Sequence, residues 1–322
     1  MKLREILNRF GKAKTPFLFI IDFDMKDYIV TPLDKIPPEI RYDINGIANS
    51  APASAMNRDF YFRKFPIEYD KYLAGYKKVN REFYNGNTFL LNLTFPTKIE
   101  TDLSLSEIYN HSKAKYRLLY DEKFVVFSPE TFIIIEDNKI FSFPMKGTIE
   151  AAIPDAERII LDDEKELAEH TTITDLIRND LSSTAKNVRV EKFRYIEKIN
   201  ALGKELLQVS SKISGELDEE WNGRIGDILI RLLPAGSISG APKPKTIEII
   251  KDAENYNRGF FTGVFGIYDG RRLESAVMIR FIEKTAEGLV FKSGGGITVY
   301  SDPVKEYNEL TEKVYVPVSR NV

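Results

Sequence analysis

Cysteine is absent from this chain of 322 residues, which has only two histidines and one tryptophan. Without cysteine, disulfides, thiolate metal sites and cysteine nucleophiles are excluded. Two histidines cannot supply the three imidazoles of a common zinc site. Any metal must then be held mainly by oxygen, which favours Mg²⁺ or Ca²⁺. The candidate metal ligands are therefore carboxylates.

A charge excess and long apolar segments are also missing. Lys and Arg together number 46 and Asp and Glu 48, so the formal net charge is −2. This balance gives no electrostatic reason to expect a nucleic-acid partner. The apolar run Phe17–Ile21 is far too short for a membrane span or the core of a signal peptide. We expect a cytoplasmic protein that binds neither nucleic acid nor a membrane.

What the chain does contain is the composition of a folded globular protein, with 43% hydrophobic and 29% charged residues. At about 150 residues per domain the length would allow two domains. However, no internal repeat, low-complexity tract or long linker divides the sequence. We therefore treat residues 1–322 as one domain.

Strand and helix patterns are mixed along the chain. The periodicity of apolar residues predicts a helix over Asp162–Leu181, and prolines near helix starts predict helices over Ala241–Asp252 and after Asp302-Pro303. The pair Asp137-Asn138 indicates a hairpin. Because hairpins favour antiparallel pairing, we predict an α+β domain. Runs rich in aromatic and β-branched residues predict strands over Phe17–Asp22, Thr88–Thr94, Phe124–Phe127, Thr131–Ile135, Lys139–Phe143, Phe260–Tyr268, Ala276–Ile282 and Leu289–Ser293.

Two pairs of glutamates have a spacing that suits a cation. Glu166 and Glu169 lie three residues apart on the predicted long helix, and Glu306 and Glu309 repeat this spacing on the last helix. Residues three apart share one helix face, where two like charges repel. Four such carboxylates could enclose one Mg²⁺, partly through water. Solvated acidic faces remain the alternative interpretation.

Other segments suggest anion binding or catalysis. Gly294–Gly296 and the loop Pro234–Pro242 each precede a helix, so they suit a small anion or are simply tight turns. Lys146 ends a strand; burial beside a substrate would favour its neutral amine, which is nucleophilic. Arg280 lies in an apolar run, where it must reach solvent or meet an anion. Glu130 carries no signal alone.

Nine segments together resemble the chorismate-utilising enzyme family. They occur in the order typical of the family and cover about residues 88–315. Each would be a weak signal alone, but the ordered set is specific. The segments are NLTF (92–95), SPETF (128–132), PMKGT (144–148), ELAEH (166–170), TDLIRNDLS (174–182), PAGSISGAPK (234–243), FTGVFGIYDG (261–270), VMIRF (277–281) and SGGGITVYSDPVKEYNELTEK (293–313).

The resemblance implies a fold and a reaction. The fold is a single α+β domain with two large antiparallel β-sheets in a sandwich flanked by helices. Within the family, a lysine at the place of Lys146 is typical of members that replace the 4-hydroxyl of chorismate by an amino group. Members that make anthranilate usually carry alanine there. The family binds Mg²⁺ at the carboxylate of its substrate.

The resemblance also implies roles for individual residues. Glu169 and Glu309 would bind Mg²⁺ directly, and Glu166 and Glu306 mostly through water. Lys146 would be the nucleophile and Glu130 the general acid. The residues implied in substrate binding are Arg280, Lys313, Thr148, Ser239, Gly240, Gly295 and Gly296. Since the chain lacks cysteine, ammonia would come from a separate glutaminase subunit.

Some positions depart from the family pattern. Gln208 falls where anthranilate-forming members carry a histidine linked to pyruvate loss, which argues against a lyase step. Phe261 replaces a tyrosine that contacts the substrate in many relatives. No segment matches the tryptophan-binding segment of larger relatives. Production of anthranilate or isochorismate remains an alternative, as does a non-catalytic protein that binds chorismate.

Overall fold

The computed structural model describes residues 2–201 and 204–318. Helices and strands alternate irregularly along these residues, with two short 3₁₀ turns at Leu33–Lys35 and Trp221–Arg224. The α-helices of this part of the chain are α1 (Lys2–Lys12), α2 (Tyr69–Tyr84), α3 (Leu105–His111), α4 (Ala156–Asp162), α5 (Glu164–Ser182), α6 (Ile225–Leu232), α7 (Gly236–Ser239), α8 (Lys243–Glu254) and α9 (Pro303–Glu312).

The strands between these helices pair antiparallel with their neighbours. Over the same described residues they are β1 (Phe17–Ile21), β2 (Tyr28–Pro32), β3 (Ile40–Ile44), β4 (Ile47–Ala48), β5 (Phe62–Phe65), β6 (Leu90–Thr101), β7 (Tyr116–Tyr120), β8 (Phe124–Ser128), β9 (Thr131–Glu136), β10 (Lys139–Ser142), β11 (Met145–Glu150), β12 (Lys186–Ala201), β13 (Lys204–Glu216), β14 (Gly240–Ala241), β15 (Val264–Tyr268), β16 (Leu273–Val277), β17 (Phe281–Thr285) and β18 (Gly288–Ile297).

Two antiparallel sheets form the body of the protein. The first has the strand order β11-β13-β10-β9-β16-β15-β1-β2, with β12 also paired to β13. The second has the order β14-β6-β18-β17-β8-β7-β3-β4, with β5 paired to β6. Apolar side chains of β1, β15 and β16 pack against those of β3, β7, β8 and β17 between the sheets. The predicted sandwich of two antiparallel sheets is therefore confirmed.

Helices cover the outer faces of the sandwich, which explains the continuous apolar runs in its strands. In β1, Leu18 and Ile20 face the core between the sheets, whereas Phe17, Phe19 and Ile21 face a second core that includes α1 and α6. A strand buried on both faces needs an uninterrupted apolar sequence. Helix α3 covers the second sheet in the same way.

One predicted strand is wrong. The run Ala276–Ile282 belongs to two strands, because β16 ends at Val277 in the first sheet and β17 begins at Phe281 in the second. Residues 278–280 connect the two sheets, and Arg280 adopts a positive φ of 53° in this connection. An apolar run buried on both sides looks continuous in sequence even where the chain changes sheets.

The three consecutive glycines also differ from the expectation of a loop. Gly294–Gly296 lie inside β18 and pair with Thr94, Leu93 and Asn92 of β6. A Cβ atom on Gly294 would lie 2.4 Å from the carbonyl oxygen of Leu93, so only glycine fits. The helices predicted at 162–181 and 241–252 exist with ends shifted by about two residues, as α5 and α8.

A buried ion pair ties α8 to the second sheet. Arg258 and Glu254 are 2% and 1% exposed, with Arg258 Nη2 2.5 Å from Glu254 Oε1. Arg258 also donates to the carbonyl oxygens of Asn92 and Ile238, and Glu254 accepts from the backbone N–H of Thr94. Each charge of this pair is compensated by the other. Removal of either residue would leave the remaining charge buried without an ionic partner.

We expect Arg258→Met to destabilise the protein by about 3–5 kcal/mol, because Glu254 would remain as a buried, unpaired charge. Urea unfolding measures this free energy. The matched control is Asp252→Asn. It breaks the exposed pair between Asp252, which lies on α8 like Glu254, and Lys78 of α2, and should cost at most about 1 kcal/mol. Equal losses in the two variants would contradict a special role for the buried pair.

Candidate active site

A cavity with an empty volume of about 440 Å³ opens between the two sheets and helices α5 and α7. Strands β6, β11, β14 and β18 each contribute residues to its wall. Charged and polar side chains therefore converge on it from distant parts of the chain. The lining residues are Leu90, Asn92, Glu130, Met145, Lys146, Ile173, Gly236, Ser237, Gly240 and Gly296.

Glu130 forms one side of this cavity, between β8 and β9. The hydroxyl of Ser237 donates a short hydrogen bond to Glu130 Oε1. Burial raises the pKa of the Glu130 carboxyl, and the hydrogen bond from Ser237 and the charge of Arg280 only partly oppose this. A carboxyl with a raised pKa keeps its proton to higher pH, so Glu130 can act as a general acid.

Ser237 was not selected from the sequence. Ser239, which was, is fully buried, and its hydroxyl donates to the carbonyl oxygen of Ala235 at 2.8 Å. Of the two serines in the segment GSISG, the structure places Ser237 in the cavity wall. Both share a short helix, and nothing in the sequence shows which hydroxyl faces Glu130.

The loop that carries Ser237 is held by an ion pair. Lys243 Nζ lies 2.8 Å from Asp180 Oδ2 and also donates to the carbonyl oxygen of Leu232. A Cβ atom on Gly236 would lie 2.6 Å from Asp180 Oδ2. Gly240, at φ 119°, would clash with the carbonyl oxygen of Leu90 if it carried a side chain. These contacts fix α7 against α5 and β6.

Lys146 projects from β11 toward the opposite sheet. Its Nζ lies 2.9 Å from Glu169 Oε2 and 3.4 Å from the position that a Cβ atom on Gly296 would occupy. Burial lowers the pKa of Lys146, but the carboxylates of Glu169, Glu309 and Glu166 outweigh burial and hold it above its usual value. The expectation that burial would favour the neutral amine is therefore wrong for this arrangement.

A buried histidine supports β11 from behind. His170 Nε2 lies 2.7 Å from Ser211 Oγ, and the backbone N–H of Ser211 donates to the carbonyl oxygen of Pro144. Burial, helped by the charge of Arg194, lowers the pKa of His170 to about 4. His170 is therefore neutral at pH 7 and supports the strand that presents Lys146.

The two glutamate pairs lie on α5 and α9, as the spacing predicts. Glu166 Oε2 is buried and has no hydrogen-bond partner. Burial and the neighbouring carboxylate raise the pKa of both Glu166 and Glu306. A Cβ atom on Gly295 would lie 3.5 Å from both Glu306 Oε2 and Glu309 Oε1. Glycine thus leaves room beside the carboxylates.

These carboxylates have the donor chemistry that Mg²⁺ requires. Their donors are all oxygen, and the orphaned Glu166 Oε2 needs a partner. Within residues 2–201 and 204–318, however, no group of three or more such side chains is close enough to hold a metal ion as it stands. Ammonium groups are bound instead: Lys146 at Glu169, and Lys313 at Glu309 with an Nζ–Oε1 distance of 2.5 Å.

Arg280 and Lys313 form the cationic side of the site. Arg280 Nε is buried without a hydrogen-bond partner, and its guanidinium lies 5.9 Å from the ring centroid of Tyr315. Lys313 also donates to the carbonyl oxygen of Gly294 at 2.9 Å. Its pKa is lowered by burial and by Arg280, against the pull of Glu309. An anion would supply the partner that Arg280 lacks.

Two other positions singled out from the sequence, Thr148 and Phe261, do not line the cavity. Thr148 is exposed on β11 and pairs in register with Gln208 of β13. Phe261 is 2% exposed and packs against Phe281 between the sheets. Its ring is therefore a core element in this chain.

The fold and this constellation agree with a match to a known family. Residues 34–319 match the sequence model of the chorismate binding enzymes. The chain belongs to this family. It is a chorismate-utilising enzyme, and the resemblance inferred from nine short segments is confirmed. No helix among the described residues is long and apolar enough to span a membrane.

Relatives of this chorismate-utilising enzyme carry several names. It is 50% identical over 315 residues to an uncharacterized PabA-like protein of Haemophilus influenzae, covering 98% of this chain and 96% of that protein. An anthranilate synthase component 1 of Aquifex aeolicus is 34% identical over 213 residues (63% and 42% of the two chains). An aminodeoxychorismate synthase component 1 of Bacillus subtilis is 28% identical over 265 residues (78% and 55%).

Solved structures support the fold. The menaquinone-specific isochorismate synthase MenF of Escherichia coli superposes with a TM-score of 0.71 at 14% identity, covering 96% of this chain and 79% of that one. At this identity the similarity establishes the shared architecture, and the reaction must be inferred from the site.

Proposed function

We propose that this enzyme is an aminodeoxychorismate synthase component I. It would convert chorismate and ammonia to 4-amino-4-deoxychorismate, a precursor of 4-aminobenzoate and folate. The observation that carries the proposal is the position of Lys146, whose amine enters the cavity between Glu130 and the glutamate pairs. A lysine there offers a nucleophile that a purely acid–base reaction would not need.

Substrate binding would use the cationic side of the site. Arg280, whose Nε is unpartnered, would bind the enolpyruvyl carboxylate, with Lys313 beside it. Glu169 and Glu309 would hold Mg²⁺ directly, and Glu166 and Glu306 through water. Bound there, the metal would neutralise the ring carboxylate of chorismate.

Lys146 and Glu130 would then catalyse the substitution in two successive displacement steps. Lys146, an ammonium in its pair with Glu169, first gives one proton to solvent. Its neutral amine then attacks C2, both ring double bonds shift, and the C4–O bond breaks. Glu130 donates the proton with which the hydroxyl leaves as water. Ammonia next attacks C4, both double bonds shift back, and the bond between C2 and Lys146 breaks. Lys146 leaves as a neutral amine and regains its proton from solvent. The proton lost by the added ammonia returns to Glu130, so both residues are regenerated.

Ammonia would come from a separate glutaminase subunit. The chain contains no cysteine, so it cannot itself supply a glutaminase with a cysteine nucleophile. The name of the Bacillus subtilis relative, component 1 of a synthase, is consistent with a second component. Free ammonium at alkaline pH should replace that subunit in the test tube.

Anthranilate synthesis is the second candidate, because the Aquifex aeolicus relative has that name and the higher identity of the two named synthases. Two residues favour amination at C4. Lys146 occupies the position at which anthranilate-forming members usually carry alanine. Gln208 occupies the position of the histidine that is linked to pyruvate loss in those members.

A mass-spectrometric product assay separates these reactions. Purified protein with chorismate, Mg²⁺ and isotopically labelled ammonium at alkaline pH should give a product with the label in place of the hydroxyl and with the enolpyruvyl group intact. Anthranilate, which lacks the pyruvyl group, or unlabelled isochorismate would refute the proposal. A reaction without protein controls for spontaneous breakdown of chorismate.

A further inference from the structure

Lys165 has no role in the reaction described above, yet it lies at the metal-binding carboxylates. It occupies the first turn of α5, and its Nζ lies 3.6 Å from Glu169 Oε1. Lys146 Nζ lies 2.9 Å from the other oxygen of the same carboxylate, Glu169 Oε2. Both oxygens of Glu169 thus face an ammonium group.

The two ammonium groups differ in their surroundings. The side chain of Lys146 is 27% exposed and lies in the cavity, whereas that of Lys165 is 54% exposed. A half-exposed lysine can turn into solvent at little cost, since water solvates its charge and its side chain regains rotational freedom. Lys165 is therefore the cation that can leave Glu169 more easily.

The charge balance of the cluster points the same way. Four carboxylates, from Glu166, Glu169, Glu306 and Glu309, face the ammonium groups of Lys146, Lys165 and Lys313. Lys165 acts electrostatically on Glu306 and Glu309 as well as on its own helix. If Lys165 turns away, the remaining groups carry two uncompensated negative charges, which one divalent cation neutralises.

We propose that Lys165 is a displaceable counter-ion of the metal site, which competes with a divalent cation for Glu169 and so weakens the binding of that cation. This inference rests on the Mg²⁺ site of the proposed function. An ordinary ion pair between residues four apart on a helix, which only supports the helix, is the competing explanation.

The test measures metal binding directly, with Mn²⁺ as a paramagnetic substitute for Mg²⁺ and electron paramagnetic resonance as the readout. At low ionic strength, Lys165→Met should lower the dissociation constant for Mn²⁺ by about three- to ten-fold, because a nearby positive charge is lost. Lys165→Arg, which keeps the charge, should bind Mn²⁺ like the wild type. The gain should shrink as salt is added, because Lys165 is half-exposed.

A matched control separates local competition from total charge. Lys245 is also an exposed lysine in the first turn of a helix and pairs with Glu248 of the same helix at 3.0 Å. Lys245→Met removes the same charge away from the cavity and should leave Mn²⁺ binding unchanged. An equal gain in both lysine variants would overturn the proposal.

Two further variants show which claim fails. If Glu169→Gln and Glu309→Gln weaken Mn²⁺ binding but Lys165→Met does not strengthen it, the metal site stands and the counter-ion proposal is wrong. If both glutamate variants bind Mn²⁺ as the wild type does, the proposed metal site itself is wrong, and the role of Lys165 fails with it.

Discussion

Lys146→Ala should abolish the covalent intermediate and lower the rate of amination by roughly 10³-fold or more, since removal of a nucleophile removes the whole covalent route. Intact-protein mass spectrometry after rapid quenching provides the direct measurement. The wild type mixed with chorismate and Mg²⁺, without ammonia, should gain the mass of chorismate less one water. The alanine variant should gain nothing.

Lys146→Arg is the matched variant for this prediction. Arginine keeps a positive charge that can pair with Glu169, but it stays protonated and cannot act as a nucleophile. It should therefore preserve folding and the charge of the site while losing the adduct. Full amination activity in both variants would show that Lys146 only binds, and that ammonia attacks chorismate without a lysine intermediate.

Glu130→Gln should lower the rate of adduct formation by about 10²–10⁴-fold, the usual contribution of a general acid. The proton donor is the neutral carboxyl, whose pKa is raised by burial. Attack also needs the neutral amine of Lys146, whose fraction rises with pH because its pKa is held above the usual value. The wild-type rate should therefore rise with pH up to the raised pKa of Glu130 and level off above it, whereas the rate of the variant should keep rising. Adduct formation is the step to measure, because it does not involve ammonia and its own titration.

Ser237→Ala provides a graded control for Glu130. The hydrogen bond from Ser237 favours the ionised carboxylate and so lowers the pKa of Glu130. Its loss should move the pH at which the rate levels off to a higher value while leaving most of the activity at neutral pH. A profile of Glu130→Gln that levels off at the same pH as that of the wild type would assign this titration to another group.

The sequence allowed much of this fold to be predicted, for reasons visible in single elements. The aromatic and β-branched residues of Phe17–Asp22 predicted a strand, and β1 lies there. The apolar stripe predicted α5, and the spacing of three residues placed Glu166 and Glu169 on one face of it. The connection at residues 278–280 was missed because the sequence of a buried strand does not show where the chain changes sheets. Arg280 lies at this place, and its positive φ is set by tertiary structure.

The site was harder to predict where it depends on side-chain direction. Local spacing showed that the carboxylates come in pairs, but it could not show that Lys146, from a strand of the first sheet, pairs with Glu169. The carboxylates of these pairs in turn outweigh the effect of burial on the pKa of Lys146. The contact between Ser237 and Glu130 joins residues more than a hundred positions apart, a distance that no local pattern reports.

The glutamate pairs stand on helices that belong to different layers. Helix α5 packs on β11, β12 and β13 of the first sheet, and α9 packs on β6 and β18 of the second. A cation held by both pairs would cross-link these layers across the cavity. Addition of the cation should then slow amide hydrogen exchange in both helices together. The free energy of cation binding would then also stabilise the sandwich against local separation of the two layers at the cavity.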